Sequence, residues 1–300
     1  MGMRRTWPFE LPAAGTLTEE ALAAQVLPPV PGRYALGVGL TSRCNFDCPM
    51  CYYHDSHASA SARSDMPLPL LKTILEGCPR LANIAFALEG EPFCHRDVFA
   101  ALDLGMEHAG TLSVSTNASM LTRDTLRRLA GYPFALFSLS VDAADAATYA
   151  RLRRGGSLAV FERNAALACE TLGRSVIFNS VICRENLASV PGLPALAARC
   201  GVSVISCMQL RPHEGSRAAN LSPAGTEELL ACLEKMVEQA GKHRVALVFD
   251  EFFGSDAVMA RLGGLLGRLG LPAPVRGPGC PILGHYTSVL SSGELFACCG

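Results

Sequence analysis

The sequence predicts an α/β fold in which a parallel sheet is covered by helices. Three observations predict it. Apolar strand-like segments alternate with longer segments of helical periodicity six times from residue 34 to about residue 242. The strand segments are nearly continuously apolar, as strands covered on both faces must be. The 49% hydrophobic content over 300 residues is enough for one large core. Six units are too few to close an eight-stranded barrel, so an open, partial barrel and a doubly wound sheet both satisfy the pattern. In either, ligands bind beyond the carboxyl ends of the strands.

The elements follow in order. Residues 1–33, rich in proline and alanine, read as a wrapping arm with a short helix around Thr18 to Gln25. Strands are expected at Tyr34–Leu40, Asn83–Leu88, Thr111–Ser115, Ala135–Val141, Ser175–Ile182 and Ser203–Leu210. Helices are expected at Leu68–Gly77, Asp97–Ala109, Arg123–Ala130, Leu158–Leu172 and Leu193–Cys200. Ser222-Pro223 reads as an N-cap with proline at the first helical position, opening a sixth helix to about Lys242. Residues 34–243 thus form one barrel-like unit. Residues 244–279 connect it to the tail through a strand at Arg244–Phe249, a helical stretch at Ser255–Gly270 and a proline-rich loop at Pro272–Pro281. Residues 280–300 read as a separate small module. In it, strand Tyr286–Leu290 and the turn Ser291-Ser292-Gly293 make a hairpin that brings Cys280 into range of Cys298 and Cys299.

Composition excludes several function classes. A net charge of −1 gives no support for a nucleic-acid partner. No apolar run reaches membrane-spanning length, and Pro8 and Pro12 interrupt any signal-peptide core, so a cytoplasmic protein without a membrane partner is expected. Thirteen unevenly clustered cysteines point to metal rather than to a disulfide framework. Seven of them, Cys78, Cys94, Cys169, Cys183, Cys200, Cys207 and Cys232, stand alone and read as small buried hydrophobes.

The informative cluster is Cys44-x3-Cys48-x2-Cys51, directly after the first strand. Structural zinc normally takes four ligands; no fourth local cysteine or well-spaced histidine pair completes a set, although His54 and His57 keep a zinc site in play. A four-iron cluster held by three cysteines leaves one iron open to a chelating ligand.

This triplet resembles the signature of the radical S-adenosylmethionine (SAM) superfamily. The resemblance continues through Glu89-Gly90-Glu91-Pro92, similar to the family's Gly-Gly-Glu-Pro motif with Glu89 in place of the first glycine. It extends through Ser115-Thr116-Asn117, Ser138-Leu139-Ser140-Val141-Asp142, the basic stretch Tyr149 to Ser157, and Ile177 to Asn186. It implies a partial (β/α)6 barrel of parallel strands. It also implies a [4Fe-4S] cluster on Cys44, Cys48 and Cys51 whose open iron binds SAM, with reductive cleavage to a 5′-deoxyadenosyl radical that abstracts a substrate hydrogen. By the same resemblance Glu91 accepts from the SAM amino group beside Gly90, and Arg153 pairs with the SAM carboxylate. Ser140 and Asp142 meet the ribose hydroxyls, Asn117 belongs to the third strand-end turn, and Met50, where the family usually has an aromatic residue, meets the adenine.

Gly293-x4-Cys298 in the tail resembles the opening of a SPASM or twitch extension. That likeness implies a small C-terminal cysteine-rich β-hairpin module in which Cys280, Cys298 and Cys299 ligate a second iron–sulfur cluster. The implied activity is that of a radical SAM oxidoreductase or maturase modifying a peptide or protein; dehydrogenation or decarboxylation of a small molecule is the alternative. The implied partners are such a substrate, an electron donor such as flavodoxin or ferredoxin, and a separate peptide-recognition protein, because the N-terminal arm is too short to be a fused one. Asp250 and Glu251 are candidate bases near the barrel mouth, with Gln209, Arg211 and His213 as further polar groups there. A non-catalytic iron–sulfur electron carrier and a zinc-stabilised binding protein are the readings from other classes.

Overall fold

The computed structural model describes residues 16–18, 34–51, 63–78, 81–210, 225–249, 258, 260–264 and 286–296. Their strands are β1 (Thr16–Thr18), β2 (Tyr34–Val38), β3 (Leu81–Phe86), β4 (Ala109–Thr116), β5 (Phe134–Ser140), β6 (Val176–Ile182), β7 (Val204–Gln209), β8 (Ala246–Phe249), β9 (Tyr286–Val289) and β10 (Leu295–Phe296). They form one sheet in the order β1-β8-β7-β6-β5-β4-β3-β2-β9-β10. Every neighbouring pair is parallel except the β9–β10 hairpin.

The helices are α1 (Leu68–Gly77), α2 (Val98–His108), α3 (Arg123–Leu129), α4 (Ala146–Leu152), α5 (Leu158–Leu172), α6 (Leu193–Cys200) and α7 (Thr226–His243). Local chemistry sets several of their ends. The Thr122 hydroxyl accepts from Thr125 N at 3.1 Å to start α3, and Asp145 accepts from Thr148 N at 2.9 Å to start α4. Gly201, at φ +79°, ends α6 in the left-handed conformation that glycine adopts without steric cost. Glu227 and Glu228 in the first turn of α7, with Lys242 and His243 in its last, complement the helix dipole.

The sheet's two faces explain why the chain curls as it does. Leu36, Val38, Ile84, Phe86, Leu112, Val114, Phe137, Leu139, Phe178 and Ile205 share one core with helix residues such as Leu71, Leu102, Leu126, Phe161, Leu196 and Leu233. Each such side chain, fully buried, contributes about 1.5–3 kcal/mol. Alternate strand residues face the other way, where Leu136, Ile177, Val204, Ala246 and Val248 pack together. Helices on one face, with β2 to β8 in sequence order, give the open, partial barrel rather than the doubly wound alternative.

Several local expectations change. Thr18 lies in a strand that adds part of the arm to the open sheet edge beside β8; the rest of the stretch expected to be helical, 19–25, lies outside the described residues. The sixth expected helix begins at Thr226; Ser222 and Pro223 lie outside the described residues, as does most of the stretch 255–270, which is helical at 258 and 260–264. Helix α4 is additional. The tail hairpin does not stand apart, since β9 pairs in parallel with β2 from Ala35↔Tyr286 to Val38↔Val289. Among the isolated cysteines, Cys183, Cys200, Cys207 and Cys232 are buried, whereas Cys78, Cys94 and Cys169 are only half-buried. No helix among the described residues is long and apolar enough to cross a membrane.

Two close approaches fix the segment after β2. Gly90, at φ +61°, lies against it so tightly that a Cβ there would come within 2.1 Å of the Thr41 carbonyl oxygen and 2.6 Å of that of Arg43. Gly156 meets the Phe46 ring, to which an added Cβ would approach within 2.6 Å. From outside, Asp65 accepts from Thr41 Oγ1 at 2.7 Å and from Arg43 at 3.1 and 2.5 Å. Gly90→Ala is therefore expected to destabilise the apoprotein by more than about 2 kcal/mol, combining left-handed strain with backbone overlap. Urea denaturation measures it, and a change within about 0.5 kcal/mol would contradict the packing described.

Candidate functional site

Cys44, Cys48 and Cys51 stand on the segment between β2 and α1, at the carboxyl end of the first barrel strand. A tight turn carries Cys51 N to the Cys48 carbonyl at 3.1 Å. Cys48 is buried, and Cys44 and Cys51 pack against the same small apolar cluster of Phe46, Met50, Leu152, Cys183 and Leu210. The three thiols feel one another electrostatically. Burial pushes the Cys44 thiol up to about 12 and the Cys48 thiol up to about 11, so in the metal-free chain both hold their protons. A metal cluster displaces such protons on binding.

The donor set fits an iron–sulfur cluster. Among the described residues no three His, Cys, Asp or Glu side chains close around a single ion. A cubane differs in this respect: each cysteine binds a separate iron at a separate corner, so its thiolates lie further apart than those around one ion. Polar hydrogens face the sulfurs. Phe46 N lies 3.4 Å from Cys44 Sγ and Asn117 Nδ2 lies 4.0 Å from it, while the Arg153 charge favours the Cys48 thiolate against the burial that disfavours it.

The next strand ends supply the polar frame. Glu91 is 2% exposed. Its Oε1 accepts from Thr116 Oγ1 at 2.6 Å and from Phe93 N at 3.4 Å, and its Oε2 accepts from Asn117 N at 2.7 Å. Burial raises its carboxyl to about 7, even though these three donors oppose the shift. Glu91 N in turn donates to the Arg43 carbonyl at 2.8 Å. One residue therefore clamps the ends of β3 and β4 to the cysteine segment. Asn117 Nδ2 extends the clamp to Asn45 Oδ1 at 2.9 Å, and Asn45 Nδ2 reaches Ser119 Oγ at 2.8 Å.

Asp142, read above as a ribose contact, is fully buried. One of its oxygens takes Arg153 Nε and the other takes Val181 N at 2.7 Å. Burial works against the Arg153 charge, but Asp142 outweighs it and raises the guanidinium further. Ser140 stands half-buried at the end of β5, its backbone in register with Asn179. Met50 is buried in the apolar cluster beside Cys48. Gly90 presses on the cysteine segment itself.

The structure thus brings Cys44, Cys48, Cys51, Met50, Gly90, Glu91, Asn117, Asp142 and Arg153 to one end of the sheet. Asp250, Glu251, Arg211, His213, Cys280, Cys298 and Cys299 lie outside the described residues. Gln209 is half-buried, with Oε1 enclosed and unpartnered among the described residues.

Sequence reasoning missed two features. Asn45, between the first two cysteines, bridges to the third strand's turn. Away from the helices, the sheet presents Ser113, Ser115, Ser138, Ser140, Asn179 and Ser206, a hydroxyl-rich surface. The alternating Ser113-Val114-Ser115 and Ser138-Leu139-Ser140 was a readable signal for it.

Comparison with known proteins places this arrangement. Among curated proteins, the AdoMet-dependent heme synthase of Methanosarcina barkeri is 24% identical over 67% of this chain and 58% of its own length. The tungsten-containing aldehyde ferredoxin oxidoreductase cofactor-modifying protein of Pyrococcus furiosus is 27% identical over 58% of this chain and 50% of its own. The chain therefore spans between half and three fifths of the length of these relatives. Among solved structures, Streptococcus suis SuiB bound to S-adenosylmethionine superposes with TM-score 0.68 at 16% identity, over 89% of this chain and 60% of that one. Native anSMEcpe with bound AdoMet gives 0.64 at 17% identity, over 88% and 74%. These likenesses establish a shared fold. Residues 38–193, from β2 to the start of α6, match the radical SAM superfamily, and the chain belongs to it.

Proposed function

We propose that the chain is a radical SAM oxidoreductase or maturase that modifies a peptide or protein. The observation that carries the catalytic part is the convergence of three cysteines of one segment with Glu91, Asn117 and Arg153 at the carboxyl ends of consecutive barrel strands. When bound, a [4Fe-4S] cluster with one open iron supplies the electron that cleaves SAM and so the means of hydrogen abstraction. Cys44, Cys48 and Cys51 hold that cluster. Glu91, its Oε1 committed to Thr116 and Phe93, keeps a lone pair on Oε2 for the SAM amino group. Asp142 fixes Arg153 through Nε, which leaves the terminal guanidinium nitrogens for the SAM carboxylate. Asp142 acts here through Arg153, and Ser140 is left for the ribose. Met50 meets the adenine by apolar contact. Cys280, Cys298 and Cys299 hold a second iron–sulfur cluster, and Asp250 or Glu251 serves as base.

The peptide reading draws support from two folds like this one, SuiB bound to its precursor peptide SuiA and anSMEcpe bound to peptides. The curated relatives named for heme synthesis and for cofactor modification favour the second reading, a small-molecule substrate. An electron donor such as flavodoxin or ferredoxin belongs to both, and a separate peptide-recognition protein to the first.

Three outcomes follow. Anaerobically reconstituted protein is expected to bind about eight irons, of which changing Cys44, Cys48 and Cys51 together to Ala removes about four and all release of 5′-deoxyadenosine. Full iron retention in that variant would remove the cluster assignment. Arg153→Ala and Glu91→Gln are expected to weaken SAM binding about ten- to a hundredfold with iron content unchanged, measured by equilibrium binding. An amide at position 91 cannot accept from Thr116 and Asn117 together. Unaltered SAM affinity in both variants would overturn their roles. Finally, replacing Cys280, Cys298 and Cys299 together with Ala is expected to lower the iron count by about four while 5′-deoxyadenosine release persists. A full iron count in that variant would leave the tail without a cluster.

A further inference from the structure

Glu89 occupies the position where the sequence departs from the Gly-Gly-Glu-Pro pattern, and its side chain turns away from the residues assigned above. It is 4% exposed, and its Oε1 accepts from Ser291 N in the turn between β9 and β10, 202 residues away in sequence. Beneath it lies Gly39, where a Cβ would come within 2.7 Å of the same oxygen, so a side chain there would force Glu89 to shift. Gly39 N donates to the Val289 carbonyl at 2.7 Å, so the first residue after β2 is bonded to the hairpin as well.

The backbone around Glu89 is held, not relaxed. Leu88 has φ +78°, a conformation a bulky side chain rarely adopts, and Gly90 follows at φ +61°. Such a turn persists only where its surroundings over-determine it. On one side Gly90 abuts the Thr41 and Arg43 carbonyls; on the other Glu89 takes the hairpin's amide. The same three-residue turn therefore touches both the cysteine-bearing segment and the C-terminal hairpin.

We propose that Glu89 is a positioning residue. By anchoring the hairpin turn it holds the turn 88–90, and through Gly90 the path of the backbone leading into Cys44. The proposal rests on the reading that Cys44, Cys48 and Cys51 hold the SAM-site cluster. That reading fails separately, if the wild-type protein binds no such cluster.

The test compares wild-type, Glu89→Ala and Glu89→Gln proteins, each reconstituted and matched for iron. Hydrogen exchange at the Ser291 amide is expected to be about ten- to a hundredfold faster in Glu89→Ala, and within about fivefold of wild type in Glu89→Gln, which keeps an acceptor oxygen. In the same Ala variant the apparent KM for SAM in substrate-free 5′-deoxyadenosine release rises about tenfold with kcat within about twofold, and the electron paramagnetic resonance signal of the reduced cluster with SAM broadens; Gln restores both. Unchanged Ser291 exchange in the Ala variant would show that the anchoring bond is not made. Faster exchange with an unaltered KM and an unaltered signal would confine Glu89 to holding the hairpin and would overturn the positioning role. Should Glu89→Ala not accumulate in folded form, the same measurements on Glu89→Asp, whose carboxylate is one methylene short of the Ser291 amide, decide: faster exchange and a raised KM together are expected, and shifts in neither would contradict the proposal.

Discussion

Everything at the carboxyl end of this sheet depends on how closely the ends of β3 and β4 approach the segment that carries the cysteines. Residues 39–51 of that segment form neither helix nor strand, so their backbone groups must find partners individually. Gly90 supplies the approach by having no side chain, and Glu91 supplies the partners, giving its N–H to Arg43 and its carboxylate to Thr116, Asn117 and Phe93. Asp65 closes the outer side through Thr41 and Arg43. Gly155 and Gly156 receive Asn45 and Phe46 on the far side. Three soft thiols on an irregular loop are thereby presented from a fixed backbone, which is the condition for binding a cluster that offers one open corner.

The buried charges serve the same end. Isolated, a carboxylate at Glu91 or Asp142 would be costly; each is retained because its oxygens meet donors held in place by the surrounding elements. The Asp142–Arg153 pair joins the end of β5 to the start of the stretch before α5, and Val181 N ties it to β6. In the role proposed for Arg153, a guanidinium already oriented in this way meets the ligand carboxylate without first losing rotamer freedom. The apolar cluster of Phe46, Met50, Leu152, Cys183 and Leu210 excludes water from the thiols' other side, which strengthens every electrostatic contact around them.

Much of this was legible in the sequence. Strands β2 to β7 announced themselves as apolar runs, and the residues that frame the site stand where those runs stop. What escaped reading was what depends on distance or on competing signals. Glu89 bonds to an amide 202 residues away, and no local pattern carries that information. Asp142, which the resemblance sets against the ribose, bonds Arg153, eleven positions on, across helix α4, a pairing that no local pattern displays. That helix was hidden because its seven residues run into the basic stretch that drew attention as a motif, although the Asp145 cap was there to be seen. The arm's strand at Thr16–Thr18 forms only because β8 leaves an edge open, a fact of topology rather than of local sequence.

The central claim is that this frame presents a cluster with one iron free to bind SAM. Mössbauer spectroscopy of ⁵⁷Fe-reconstituted protein, with a variant lacking the tail cysteines to isolate the barrel cluster, tests it most directly. Adding SAM is expected to change the isomer shift of one iron in four while the other three keep theirs, as three thiolate-bound sites and one open site require. Four irons that respond alike, or none that responds, would contradict it.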